Sequence, residues 1–162
     1  MRRLVAVVVA ALGVGAAAPA LGAGNAHFVK SSASLSGADL VASFKEAGLA
    51  AGSVETVTLQ AQESVAYECV NGGGKNPSAS NKRIFATTGA VSGSFSADRN
   101  GNINGSLELA PASAASLGFS CPPGMKTTFV GVTYSGVQLV DSTSGAQTSL
   151  GGTFSFQNPS AP

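Results

Sequence analysis

Val91-Ser92-Gly93-Ser94-Phe95-Ser96-Ala97-Asp98-Arg99-Asn100-Gly101-Asn102-Ile103-Asn104-Gly105-Ser106-Leu107-Glu108-Leu109 is the stretch that decides the fold class. Val91, Phe95 and Ala97 alternate with Ser92, Ser94 and Ser96. Beyond the turn, Ile103, Leu107 and Leu109 alternate with Asn104, Ser106 and Glu108. A period of two puts apolar side chains on one face and polar ones on the other, which is the pattern of a half-buried strand. Asn100-Gly101 between the two runs accepts positive φ, so the expectation is a β-hairpin with one wet side.

The same period extends in both directions. Val57, Leu59, Ala61, Val65, Tyr67 and Cys69 share one parity, interrupted by Glu63, and read as a long strand that can bend. Glu63 on that apolar face marks a bulge or an exposed strand end, or else a carboxyl with a raised pKa at a site. Glu68, between Tyr67 and Cys69, is expected to face solvent. Downstream, Pro111–Gly118 is a proline- and alanine-rich link, and Pro122-Pro123 stop pairing after Cys121. Phe129–Tyr134 and Val137–Val140 form a strand broken by Ser135-Gly136, which suggests a bulge or corner. Thr153–Phe156 is a last strand. Residues 36–52 are ambiguous. Ser36-Gly37-Ala38-Asp39 resembles a capping box ahead of a helical stripe of Leu40, Val41, Phe44 and Ala47. Leu40, Ala42 and Phe44 also alternate, and the strand reading is preferred because the rest of the chain is β. The fold expected is all-β: an immunoglobulin-like antiparallel β-sandwich of about seven strands, preceded by a signal peptide.

The head of the chain carries that last expectation. Met1-Arg2-Arg3 precedes an apolar run from Leu4 to Ala18 and the small-residue exit Pro19-Ala20-Leu21-Gly22-Ala23. A basic start, a short apolar core and small residues are the parts of a secretory signal peptide. Residues 1–26 are assigned to it, with cleavage after Ala23 or Ala26, and residues 27–162 to a single domain. No second apolar run is long enough for a membrane anchor, so the processed protein is expected to be released into the extracellular space, with no membrane contact.

Loss of Arg2 and Arg3 would turn the formal charge of +1 into −1. A balance so near neutral argues against nucleic acid, which selects clustered basic residues. Charged residues are only 10% of the chain, against roughly 25% in ordinary soluble proteins. Serine, threonine, glycine and asparagine must therefore supply most of the wetted surface.

Cys69 and Cys121 are the only cysteines. An even count in an exported chain makes one Cys69–Cys121 disulfide the default. A zinc site needs four ligands, and the single His27 cannot complete one. A redox dithiol would normally show C-x-x-C spacing.

With the strands in place, a resemblance emerges. The segments Phe44-Lys45-Glu46-Ala47-Gly48-Leu49, Tyr67-Glu68-Cys69-Val70-Asn71 with Gly73 and Pro77, Asn81-Lys82, Cys121-Pro122-Pro123-Gly124 and Val132–Val137 with Asp141 resemble a group of small secreted actinobacterial proteins of uncharacterised function. That resemblance implies export and no particular activity. Ala42–Gly52 and Ser96–Gly101 are also similar to an early strand and a mid-chain turn of the neocarzinostatin-type chromoprotein apoproteins. Those are immunoglobulin-like sandwiches that carry an enediyne. That family has two disulfides and this chain can form one, so the similarity implies the fold and no binding residues.

The sequence carries no recognisable catalytic set. His27 is expected on a flexible terminus, a poor place for a triad base. No G-x-S-x-G and no S-x-x-K occurs. Asp98, Asn100 and Asn102 match the opening of a calcium loop. Ile103 and Leu109 stand where that loop needs glycine and glutamate, so they are weak metal candidates. Asn104-Gly105-Ser106 is a formal glycosylation sequon. The best interaction candidate is the glycine-rich loop Asn71, Gly72, Gly73, Gly74 and Lys75, with Asn81, Lys82 and Arg83, where exposed backbone N–H groups and cations suit an anion or carbohydrate. The functional expectation is a secreted, non-enzymatic binding protein without a cofactor, its partner a cell-wall component, a carbohydrate or a protein. The alternatives are a small-molecule carrier with an inter-sheet cleft and a carboxylate-based hydrolase.

Overall fold

A computed structural model describes residues 25–74 and 81–161. The expected signal peptide up to residue 24, and Lys75 of the candidate loop, lie outside the described residues. Eight strands follow in order: β1 (His27–Ser36), β2 (Asp39–Ala47), β3 (Val54–Val70), β4 (Lys82–Ser96), β5 (Ile103–Leu109), β6 (Lys126–Asp141), β7 (Gln147–Leu150) and β8 (Phe154–Gln157). One sheet has the order β1-β2-β5. The other runs β4-β3-β6-β7, with β8 also paired to β6. All pairings are antiparallel. Two such sheets packed face to face make the immunoglobulin-like sandwich.

The alternating rows form its interior. Leu40, Ala42 and Phe44 of β2 and Ile103, Leu107 and Leu109 of β5 meet Val57, Leu59, Ala61 and Val65 of β3 and Val132, Tyr134, Val137 and Leu139 of β6. Burial of these apolar faces is the main favourable term holding the sheets together. Segment 39–47 is therefore a strand: as a helix, its Leu40, Ala42 and Phe44 would not share one face.

The bulge expected at Ser135-Gly136 is present. Gln60 pairs Gln138 but Gln62 pairs Ser135, so β6 spends three residues where β3 spends two. Gly136 absorbs the extra residue with φ of 58°. The inward parity of β6 consequently changes from even (Val132, Tyr134) to odd (Val137, Leu139) without exposing the core.

The expected hairpin is overturned. β4 and β5 do not pair; they lie in opposite sheets. The turn itself is real, closed by Gly101 N–H donating to Asp98 O at 3.0 Å and Asp98 N–H to Asn102 O at 2.8 Å. Its flanks bond instead to the β2–β3 connection: Leu49 N–H donates to Gly101 O, and Ala97 N–H to Ser53 O. A Cβ at Gly101 would collide with Leu49 O. Two connections thus cross between the sheets together, and the local turn serves an arch. His27 also departs from expectation. It opens β1, paired with Ala47, and is not on a free terminus.

Candidate functional site

Cys69 and Cys121 are joined, with Cα atoms 5.6 Å apart across a sequence separation of 52. The bond ties the end of β3 to the link that precedes β6. That link crosses the inner face of the larger sheet. Tyr67 Oη donates to Ala112 O at 2.9 Å, and Ala112 N–H donates to Glu63 Oε2 at 2.9 Å. Phe119 then stacks on Tyr67, with ring centroids 6.1 Å apart, and meets Phe85 of β4 edge-on at 5.8 Å.

Between β4 and this link lies a groove of about 350 Å³, lined by Cys69, Asn81, Arg83, Phe85, Leu117, Gly118, Phe119, Ser120 and Pro122. This volume is at the small end of ligand sites, which run from roughly 300 to 1,000 Å³. Its lining offers an aromatic wall, a guanidinium with donors in a fixed fork, and a side-chain amide. The disulfide holds one end rigidly.

The structure divides the candidate loop. Asn81 and Arg83 line the groove. Lys82 points to the other face of β4 and pairs with Glu68 at 3.2 Å. Asn71 Oδ1 accepts Gly73 N–H at 3.0 Å, and Gly74 N–H donates to Asn71 O, so Asn71–Gly74 form a tight turn of their own. Phe85 and Phe119 were missed by sequence reasoning. Phe85 shares parity with Val91 and Phe95 and could have been placed on the inner face, but nothing local brings Phe119 to it.

The acids hold the larger surprise. Glu46, Glu55, Glu63, Glu68 and Asp141 are all buried, none above 3% exposed. The expectation of Glu68 in solvent fails, and so does that of Glu63 at an exposed strand end. The register break near Glu63 falls on β6, so β3 keeps its parity and Glu63 stays inward. Its Oε1 has no hydrogen-bond partner among the described residues, and burial pushes its carboxyl up. The hydroxyl of Tyr134 donates to Ala38 O at 2.9 Å. It is pushed up by burial first, then by the charges of Glu63 and Asp39.

Glu46, Glu55 and Asp141 gather at the opposite end from the groove. Ser144 Oγ donates to Glu46 Oε1 at 2.9 Å, and Ser53 Oγ donates to Glu55. Asp141 Oδ1 caps the β6–β7 turn, accepting Thr143 N–H at 2.8 Å. One oxygen of each carboxyl is left unpartnered among the described residues. Glu46 is raised from 4.5 to about 7, by burial above all and then by the neighbouring Asp141 and Glu55, against the lowering effect of the Ser144 hydroxyl. A proton held on Glu46 relieves the repulsion from its acidic neighbours.

Among the described residues, no three acid, histidine or cysteine side chains are set to hold a metal ion. Asp98 Oδ1 is occupied by Asn100 N–H at 2.7 Å and Asn102 N–H at 3.0 Å. These bonds hold the Asp98 carboxyl below its usual range. The three residues of the weak calcium candidate therefore form a turn cap. The space between the sheets, where a carrier cleft was considered, is occupied by the buried rows of β2, β3, β5 and β6. No helix of the described residues is long and apolar enough to cross a membrane.

Comparison with known proteins adds no relative: no protein-family model matches the chain, and no curated protein matches it.

Proposed function

We propose that this protein is an extracellular, non-enzymatic binding module that takes a small acidic saccharide, or the acidic end of a longer glycan, in the groove beside the disulfide. The observation that carries this reading is the convergence of Arg83, Asn81, Phe85 and Phe119 on one rigid hollow of about 350 Å³. An aromatic wall covers the apolar face of a sugar ring. The guanidinium pairs with a carboxylate bidentately, and the amide both donates to and accepts from hydroxyls. The leader-like head and the disulfide support export.

Calorimetric titration with acidic oligosaccharides and their neutral counterparts tests the proposal. Binding of the acidic series should weaken at least about tenfold in Arg83→Ala, equivalent to about 1.4 kcal/mol, with the fold unchanged. Equal affinity for both series, or an unaffected Arg83→Ala, refutes it.

A further inference from the structure

The sandwich has four kinds of open strand edge, and three of them are guarded. β1 carries Lys30 and a register break between Phe28 and Lys30. β5 is 7 residues long and carries Glu108. β7 and β8 have 4 residues each. Charges, bulges and shortness are the devices that stop one sheet edge from pairing with another. The fourth edge has no bulge, is long, and carries charge only at its first two residues, Lys82 and Arg83.

That edge is β4, 15 residues long, which pairs with no strand but β3 among the described residues. Its register with β3 is unbroken from Val54↔Ser96 to Glu68↔Lys82. From Ile84 to Ser96 it contains no charge and no proline. Its core-facing row is also unfinished. Phe85, Val91 and Phe95 are only half-buried, whereas Val57, Leu59 and Val65 on adjacent β3 are fully buried. Ile84, at 76% exposed, extends the apolar character to the outer face.

We infer that β4 pairs antiparallel with β4 of a second copy of this chain, about a two-fold axis at Ala90, joining the two larger sheets into one. The sequence of β4 is complementary to itself in that register. Phe85 falls opposite Phe95 of the second copy, Thr87 opposite Gly93, and Gly89 opposite Val91. Each glycine thus leaves room for a β-branched neighbour, and the aromatics meet as a cross-strand pair. On the outer face Ala86 meets Ser94, Thr88 meets Ser92, and Ala90 meets Ala90, all small and uncharged. Thirteen paired residues from Ile84 to Ser96 would form about a dozen inter-chain backbone hydrogen bonds, two at every second pair. A different protein would have to supply a matching strand, whereas a second copy already has one.

Sedimentation equilibrium of the full disulfide-bonded chain over a concentration series tests this. A monomer–dimer equilibrium is expected. Ala90 is exposed on the outer face, so Ala90→Lys leaves the fold intact while setting two like charges side by side. Its dimer dissociation constant should rise at least roughly tenfold. Register is read by cysteine pairing under oxidising conditions, because directly opposed residues lie about 4.5–5.5 Å apart and within disulfide reach. Ala90→Cys should cross-link to itself. Thr88→Cys should not, but should cross-link when mixed with Ser92→Cys. A chain that stays monomeric throughout overturns the inference, as does a dimer unaffected by Ala90→Lys or cross-linking in another register.

Discussion

Replacing Glu46 with glutamine should stabilise the protein above neutral pH and leave it nearly unchanged in mild acid. Glu46 is fully buried at the end of β2, beside Asp141 and Glu55, with its carboxyl raised from 4.5 to about 7. The folded state therefore keeps a proton that the unfolded chain releases. Stability from this group is complete below about pH 4.5, falls as pH rises toward 7, and levels off above it. The displacement corresponds to roughly 3 kcal/mol of unfolding free energy lost between those limits. Glutamine keeps the shape, accepts the Ser144 hydroxyl and donates to Asp141 without titrating. The variant should thus match wild type at pH 4 and exceed it by up to roughly 3 kcal/mol at pH 8. Urea unfolding followed by the fluorescence of buried Tyr67 and Tyr134 measures this, and titrating groups remote from Glu46 cancel in the difference. A gap between the two proteins that is flat with pH, or a Glu46→Gln variant weaker than wild type at pH 8, would refute the reasoning.

Two further outcomes follow from the geometry. Removing the disulfide by the double change Cys69→Ser and Cys121→Ser opens a loop spanning 52 residues and should lower stability by about 4 kcal/mol, read as a drop in urea midpoint. Gly89→Ala should destabilise by roughly 1–3 kcal/mol in the same assay, because the new methyl would collide with the buried Glu63 carboxyl. Gly89→Ala combined with Glu63→Ala should recover much of that loss, since the clash is then gone.

The hairpin and the buried acids show where local reading stops. The alternation of Val91–Ala97 and Ile103–Leu109 identified two strands and the turn between them. It could not say that Leu49 and Ser53 would capture that turn and send β5 to the other sheet. Glu46, Glu55 and Asp141 each lie on the inward row of their strand, next to Phe44, Val57 and Leu139, so their burial was legible from parity. Polarity argued for solvent instead, and only the convergence of three strand ends raises Glu46 enough to hold its proton. In the groove, Asn81 and Arg83 were singled out from the loop they flank. Phe119 was not, because its place depends on the disulfide and on Tyr67, 52 residues upstream of it.

Sequence alone determined what depends on neighbouring residues: the strand character within β3, β4, β5, β6 and β8, the Ser135-Gly136 bulge, the Asp98–Gly101 turn and the pairing of two cysteines. Each follows from side-chain period, permitted φ or a count of two. Tertiary structure decided which sheet each strand joined, which carboxyls left water, and which aromatic ring faced Arg83. Those outcomes depend on segments far apart in the chain competing for the same buried surface, and a linear pattern carries no record of that competition.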